Sequence, residues 1–214
     1  MSEDIRFRIA RRASQELRPG EVVNLGIGIP NLIPSFLGGG PRVHLHSENG
    51  LLGVGPRPGP EELDPDLIDA AKQPVTALPG AAYFDSTESF AMIRGGHVDV
   101  AVMGALQVSA RGDIASWAVP GKDVLGVGGA MDLVVGARTV IVTMTSTSSA
   151  GEPKLVPECT YPLTAREAAD VVVTELAVFR FREGVLTLAE LLDGVTLEDV
   201  ARVTAAPYEV ALEA

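Results

Sequence analysis

Short β-branched runs recur along the chain, and each ends in glycine, a polar turn or a helix-length segment. Val22-Val23-Asn24-Leu25 runs into Gly26-Ile27-Gly28-Ile29-Pro30. Val43–His46 runs into Ser47-Glu48-Asn49-Gly50. Val98–Met103, Thr139–Met144 and Val171–Phe181 supply further strand regions. Helical segments stand between them. Ile5, Ile9, Ala13 and Leu17 repeat every fourth position and predict a helix over 4–18, stopped by Pro19-Gly20. A short helix is expected over 32–37 and another over 86–94, before Gly95-Gly96. Such alternation defines an α/β protein with an open, largely parallel sheet flanked by helices.

The remaining segments read as connections. Residues 51–66, rich in Gly, Pro and acid, predict a long loop, and 145–153 a flexible one. Thr164/Glu167, Thr187/Glu190 and Thr196/Asp199 have the spacing of capping boxes that open late helices. With no internal repeat and no linker, residues 1–214 read as a single domain. Many of the 23 glycines fall at strand ends, beyond which open α/β sheets bind their ligands.

Composition removes several classes of function. A net charge of −11 argues against nucleic acid and against an anionic membrane surface. Cys159 is the only cysteine, so an internal disulfide and a Cys-based zinc site are excluded, which suits a reducing cytoplasm. The charged N-terminal segment has no apolar core of a secretory signal, and no run of 18 apolar residues could span a membrane.

Common signatures fail on inspection. Gly26-x-Gly28 has Asn31 where a dinucleotide fingerprint needs its third glycine, and Gly126-x-Gly128 has Met131. Gly121-Lys122 is followed by Asp123 and is no P-loop. No G-x-S-x-G elbow occurs. His44, His46 and Glu48 alternate along one strand face and offer the ligand types of a facial metal triad. Steps of two along a strand separate such side chains by about 6–7 Å, however, which is awkward for one small ion. No metal is therefore assigned. His97, after Gly95-Gly96, reads as a structural hydrogen-bonding histidine. Ser47-Glu48-Asn49-Gly50 is the sharpest feature: a carboxylate on a tight turn just past an apolar strand, either a solvated turn acid or a functional one.

The order VVNLGIGIP (22–30), SENGLLGVGP (47–56), the VTALPGAAYFDSTESF stretch from 75, ASWAVPGK (115–122), GVGGAMDLV (126–134) and VPECTYPLT (156–164) resembles the B (β) subunit of the family I CoA-transferases, which include succinyl-CoA:3-oxoacid and 3-oxoadipate CoA-transferases. The resemblance covers nearly the whole chain. It implies the α/β CoA-transferase (NagB/RpiA-like) fold. It implies that Glu48 is the nucleophile and that the backbone N–H of Gly129, or of Gly128, serves an oxyanion. Asn24, Gly26 and Gly28 would then lie beside the CoA. Asn49 and Gly50 would shape the Glu48 turn, and Lys72 could meet the CoA chain or its phosphates. Ala81 and Ala82 could keep an acyl pocket small. Coenzyme A would be substrate and covalent intermediate, with no permanently bound cofactor. A separate A (α) subunit would complete the site in an A2B2 heterotetramer.

The residues suit that chemistry. A glutamate, with a reference pKa of about 4.3, is ionised at neutral pH and needs no histidine base. The 145–153 loop has no basic or histidine residue before Lys154 and so carries little information on substrate. Two other classes share these features. A ligand-binding or regulatory protein of the same fold needs no nucleophile, and an acyl-CoA thioester hydrolase passes the acyl group to water.

Overall fold

The computed structural model describes residues 4–38, 43–121 and 126–213; Lys122 and Asp123 of the segment that fails as a P-loop lie outside them. Helix α1 spans Ile5–Ser14, and its first turn is capped by the Asp4 carboxylate, which accepts from the Arg6 N–H at 3.0 Å. It ends four residues before the expected 18. From Gln15 to Leu17 each N–H reaches the carbonyl three residues back, so the chain tightens out of α geometry while Leu17 stays buried. The expected 32–37 helix is a 3₁₀ segment, Pro30–Phe36, because Pro34 inside it cannot donate an α-helical bond.

The strands, in chain order, are β1 (Val22–Leu25), β2 (His44–Ser47), β3 (Leu51–Val54), β4 (Ala77–Tyr83), β5 (Val100–Gly104), β6 (Gln107–Ser109), β7 (Ile114–Ala115), β8 (Thr139–Thr143), β9 (Leu155–Val156), β10 (Val171–Val173), β11 (Ala177–Arg182), β12 (Val185–Leu191) and β13 (Glu209–Val210). Helices α2 (Ser86–Arg94), α3 (Ala130–Gly136) and α4 (Leu197–Val203) complete the described elements. Ten strands form one sheet in the order β13-β12-β11-β10-β8-β5-β1-β2-β3-β4. Its centre, β10-β8-β5-β1-β2, is parallel throughout. The flanks are antiparallel, except that β13 runs parallel to β12. A small sheet, β7-β6-β9, stands apart.

The central strands alternate their burial between two faces, as the pleat requires. Val23, Val100, Val102, Ile141, Val171 and Val173 pack with Ile9, Ala10 and Ala13 of α1. On the other face Ala101 meets Ile93 of α2 and Leu133 of α3, while Val140, Val142 and Val172 join the larger cluster around Phe179. Part-buried ion pairs fasten α1 and the turn after it to the sheet: Glu16 lies 2.7 Å from Arg12 and 2.9 Å from Arg180, and Arg12 also reaches Glu190.

Several expectations are corrected. Residues 51–54 are strand, not loop, and β4 pairs with them. Gly53, at φ +91, packs on Ala81 and allows the irregular register there. The 171–181 region is two strands of a turned-back pair, β10 and β11. Of the three Thr-x-x-acid patterns only Thr196/Asp199 is a capping box, opening α4. Thr187 and Glu190 lie in β12, and the Glu190 carboxylate accepts from Arg12 of α1. Thr164 Oγ1 instead accepts the Ser116 N–H, and Glu167 adopts φ +49, which ends any helix. The 145–153 segment is tied down by Thr145 Oγ1 on Thr147 O, by Ser148 N on Glu152 O and by Ser146 N on the Glu175 carboxylate.

Candidate active site

Parallel pairing of β1 with β2 places Asn24 opposite His46, and Glu48 follows at the carboxyl end of β2. The contact between two segments distant in sequence is thus fixed by strand register. Asn24 Nδ2 lies 3.1 Å from Glu48 Oε2, 3.1 Å from His46 Nδ1 and 3.3 Å from His46 O. Asn24 and His46 are buried, whereas Glu48 is half-buried and so open to a ligand. The other ring nitrogen, His46 Nε2, lies 3.1 Å from Ser89 Oγ. Phe84 stacks on the same ring at 5.9 Å, with planes 11° apart. Burial pushes the His46 imidazolium down to about 4, so the ring is neutral at pH 7.

The turn under Glu48 is rigid. Gly50 N–H donates to Ser47 O, and Gly50 O accepts from Phe84 N–H, both at 3.0 Å. Gly50 adopts φ +125, and a Cβ there would stand 2.0 Å from Phe84 O. No other residue fits this position. Ser47 Oγ accepts the Ala70 N–H at 2.8 Å, and Asn49 Nδ2 donates to Ile68 O at 2.7 Å, so the 66–70 segment is braced against the turn.

Gly129 reaches the same place from the far side. A Cβ on it would lie 3.8 Å from Glu48 Cγ and 3.0 Å from Phe90 Cζ. Gly126 and Gly128 before it take φ +99 and +57. Helix α2 therefore touches both halves of the site with consecutive residues, Ser89 on His46 and Phe90 on Gly129. Arg94 of α2 pairs with Asp132 of α3 at 2.7 Å and holds the two helices together.

The other sequence candidates divide. Gly26 sits tight on β5, its N–H donating to Val102 O at 2.7 Å, where a Cβ would approach that oxygen to 3.2 Å. Gly28, at φ +101, lines a cleft of about 560 Å³ with Arg6, Ile27, His46, Ser47 and Arg57. Lys72 is exposed at φ +61, between two cleft residues, Ala71 and Gln73. Ala81 packs on Gly53, and Ala82 is exposed on the edge strand β4. Sequence reasoning missed the ring partners Ser89 and Phe84. Both lie in the motif stretch that starts at 75, around the start of a helix that follows a strand, but nothing there marked them as partners of the ring.

The histidines differ in their surroundings. Both His46 nitrogens are engaged, and His44 is exposed. Among the described residues no group of three or more His, Cys, Asp or Glu could hold a metal ion. His97 acts through its backbone, N–H to Met92 O, with an exposed ring, rather than through a side-chain bond. Burial and then Asp113 push the Cys159 thiol up to about 11, so the chain's one thiol is no nucleophile at neutral pH. No helix among the described residues is long and apolar enough to cross a membrane.

Glu48 thus lies at the carboxyl end of β2, bonded by Asn24 and approached by Gly129, and comparison with known proteins gives the chain's family. The family described as Coenzyme A transferase matches residues 7–202, and the chain belongs to that family. It is 51% identical over 210 residues to the beta subunit of the acetate CoA-transferase of Escherichia coli K12, covering 98% of this chain and 96% of that one. It is 50% identical over 208 residues to the B subunit of the probable succinyl-CoA:3-ketoacid coenzyme A transferase of Bacillus subtilis, covering 97% and 96%. The human mitochondrial succinyl-CoA:3-ketoacid coenzyme A transferase 2 is 50% identical, but the chain spans only 41% of its length. In solved structures the same fold appears in the acyl-CoA transferase YdiF of E. coli O157:H7, with a TM-score of 0.79, 24% identity, and 99% of this chain over 43% of that one. It appears in glutaconate coenzyme A-transferase of Acidaminococcus fermentans, with a TM-score of 0.75, 16% identity, and 100% over 90%. The decarboxylase AibA/AibB shares it too, with a TM-score of 0.72, 21% identity, and 97% over 87%.

Proposed function

We propose that this chain is the B subunit of an acyl-CoA:carboxylate CoA-transferase in which Glu48 is the nucleophile. The observation that carries the reading is the Glu48 carboxylate, bonded by Asn24 and faced by Gly129. A glutamate carboxylate attacks the thioester carbonyl of the donor acyl-CoA. The C–S bond breaks, leaving a mixed anhydride and the CoA thiolate. The thiolate then adds to the glutamyl carbonyl and expels the donor acid, giving a glutamyl-CoA thioester. The acceptor carboxylate repeats both steps in reverse, and Glu48 is regenerated. The activated bond is conserved throughout, so the cycle balances without ATP. Each addition passes through a tetrahedral oxyanion, where one preorganised donor is worth about 10²–10³ in rate. The Gly129 N–H, with Gly128 as its neighbour, is that donor. Asn24, Gly26 and Gly28 border the CoA, and Asn49 and Gly50 fix the turn.

Relatives named for succinyl-CoA and 3-ketoacids support succinyl-CoA as donor and a 3-oxo acid, acetoacetate or 3-oxoadipate, as acceptor; the E. coli relative is named for acetate. Relatives named as beta or B subunits imply an A (α) partner, and the half-buried Glu48 at a sheet edge suits a site completed by that partner in an A2B2 assembly. The test is a transfer assay on the complex co-expressed with its α partner, from succinyl-CoA to each acid in turn. CoA should move to one acid class and not to water, and Glu48→Ala should abolish the transfer. Binding of CoA without transfer would indicate a sensor, and release of free acid with no acceptor a hydrolase.

A further inference from the structure

We propose that His46 and Ser89 are positioning residues for Glu48. A buried hydrogen-bond chain, Ser89–His46–Asn24–Glu48, sets which way the Asn24 amide faces and so which Glu48 oxygen is left to react. The proposal rests on the reading of Glu48 as the nucleophile.

The direction of each bond follows from one end. A carboxylate only accepts hydrogen bonds. The Asn24 atom at 3.1 Å from Glu48 Oε2 must therefore be the amide nitrogen; the amide oxygen there would repel the charge. One Nδ2 hydrogen is thus spent on Glu48. The other points to His46, whose Nδ1 and carbonyl oxygen lie at 3.1 and 3.3 Å. His46 Nδ1 must then be the bare, accepting nitrogen. The ring proton sits on Nε2 and donates to Ser89 Oγ at 3.1 Å. The opposite tautomer would set hydrogen against hydrogen at Asn24. Asn24, His46 and Ser89 are each at most 3% exposed, so water does not readily replace a broken link. Phe84, stacked on the ring, resists its rotation.

The consequence reaches the chemistry. With Oε2 held by Asn24, Oε1 is the oxygen that attacks the acyl carbon and becomes the anhydride bridge. Oε2 remains as the glutamyl carbonyl oxygen, and the Asn24 N–H bears on it when the thiolate adds. Ser89 anchors this chain on the helix whose next residue, Phe90, abuts Gly129, so α2 aligns the carboxylate with the glycine.

The test compares variants in the complex with the α partner, following thioester formation at Glu48 in a single turnover with succinyl-CoA. Wild-type thioester formation establishes the underlying reading separately. His46→Leu should slow that step about 10²-fold, as expected for a misplaced reacting group. KM for succinyl-CoA should change far less than this rate, because the loss falls on the reacting carboxylate. His46→Gln should restore most of the rate, since a carboxamide can accept from Asn24 and donate to Ser89. In an Asn24→Ala background His46→Leu should cost nothing further. Ser89→Ala, a smaller change at the far end, should slow the same step in the same direction. Equal losses in the Leu and Gln variants, or losses that multiply with Asn24→Ala, would overturn the proposal. So would a full rate in Ser89→Ala and His46→Leu.

Discussion

Asn24 Nδ2 and Glu48 Oε2 stand 3.1 Å apart although twenty-four residues separate them along the chain. Strand pairing brings them together: Asn24 is in register with His46, and Glu48 is the second residue beyond it. The amide neither donates a proton for transfer nor accepts one. In the proposed cycle it holds the attacking carboxylate in place. Asn24→Asp sets a second acid against Glu48, and like charges at this distance disfavour each other. Loss of kcat by at least about 10²-fold is expected, with Asn24→Ala milder, measured as steady-state transfer in the complex.

Gly129 is closely bounded. A Cβ there would press on Phe90 at 3.0 Å and meet Glu48 Cγ in ordinary contact at 3.8 Å. Gly129→Val should therefore lower kcat far more than it weakens CoA binding, by up to about 10²–10³, because the side chain, pressed on Phe90, displaces the backbone N–H from the oxyanion. Calorimetric CoA binding beside kcat separates the two. Equal losses in both would point to misfolding.

Gly50 is required for the turn itself. Gly50→Ala meets Phe84 O at 2.0 Å with φ +125, so it should destabilise the fold by about 2–3 kcal/mol in urea unfolding. An unchanged midpoint would mean that the turn can rearrange.

Acid should weaken the fold in two separable windows. His46 has a folded pKa of about 4 against 6.5 unfolded, so its contribution is complete above pH 6.5 and fades as pH falls towards 4. It accounts for about 2 kcal/mol of the stability lost between pH 7 and pH 5. His46→Gln should flatten that part of the profile. Burial raises the Glu16 carboxyl, but bonds from Arg180 and Arg12 outweigh it and hold it below its ordinary value of 4.5. Its contribution is present above that value and is lost only at lower pH, so Glu16→Gln should change the profile below about 4.5. Urea unfolding across pH 3–8 reads both.

The parallel centre of the sheet was legible because its buried strands are short runs rich in β-branched residues, as in Val98–Met103 and Thr139–Met144. Helix α2 was legible as the segment that Gly95-Gly96 closes, and the Thr196/Asp199 box from its spacing. The flanks were not. Leu51–Val54 contains a glycine, and Ala77–Tyr83 contains Pro79 and Gly80, so neither has strand propensity; both are held by pairing with neighbours. Thr187 and Glu190 have the spacing of a helix cap, but the pairing of β11 with β12 overrode that local pattern. At the site, Glu48, Asn24 and Gly129 stood out in their motifs. Ser89 did not, because its partner lies forty-three residues away and only the tertiary fold joins them.

Covalent bonding of Glu48 to CoA is the step on which the proposed cycle depends. The direct measurement incubates the complex with succinyl-CoA and no acceptor, reduces it with borohydride, and locates the changed residue by mass spectrometry. The predicted result is a reduced side chain at Glu48 and none at any other carboxylate. An unmodified Glu48 in a complex shown to bind CoA would contradict it.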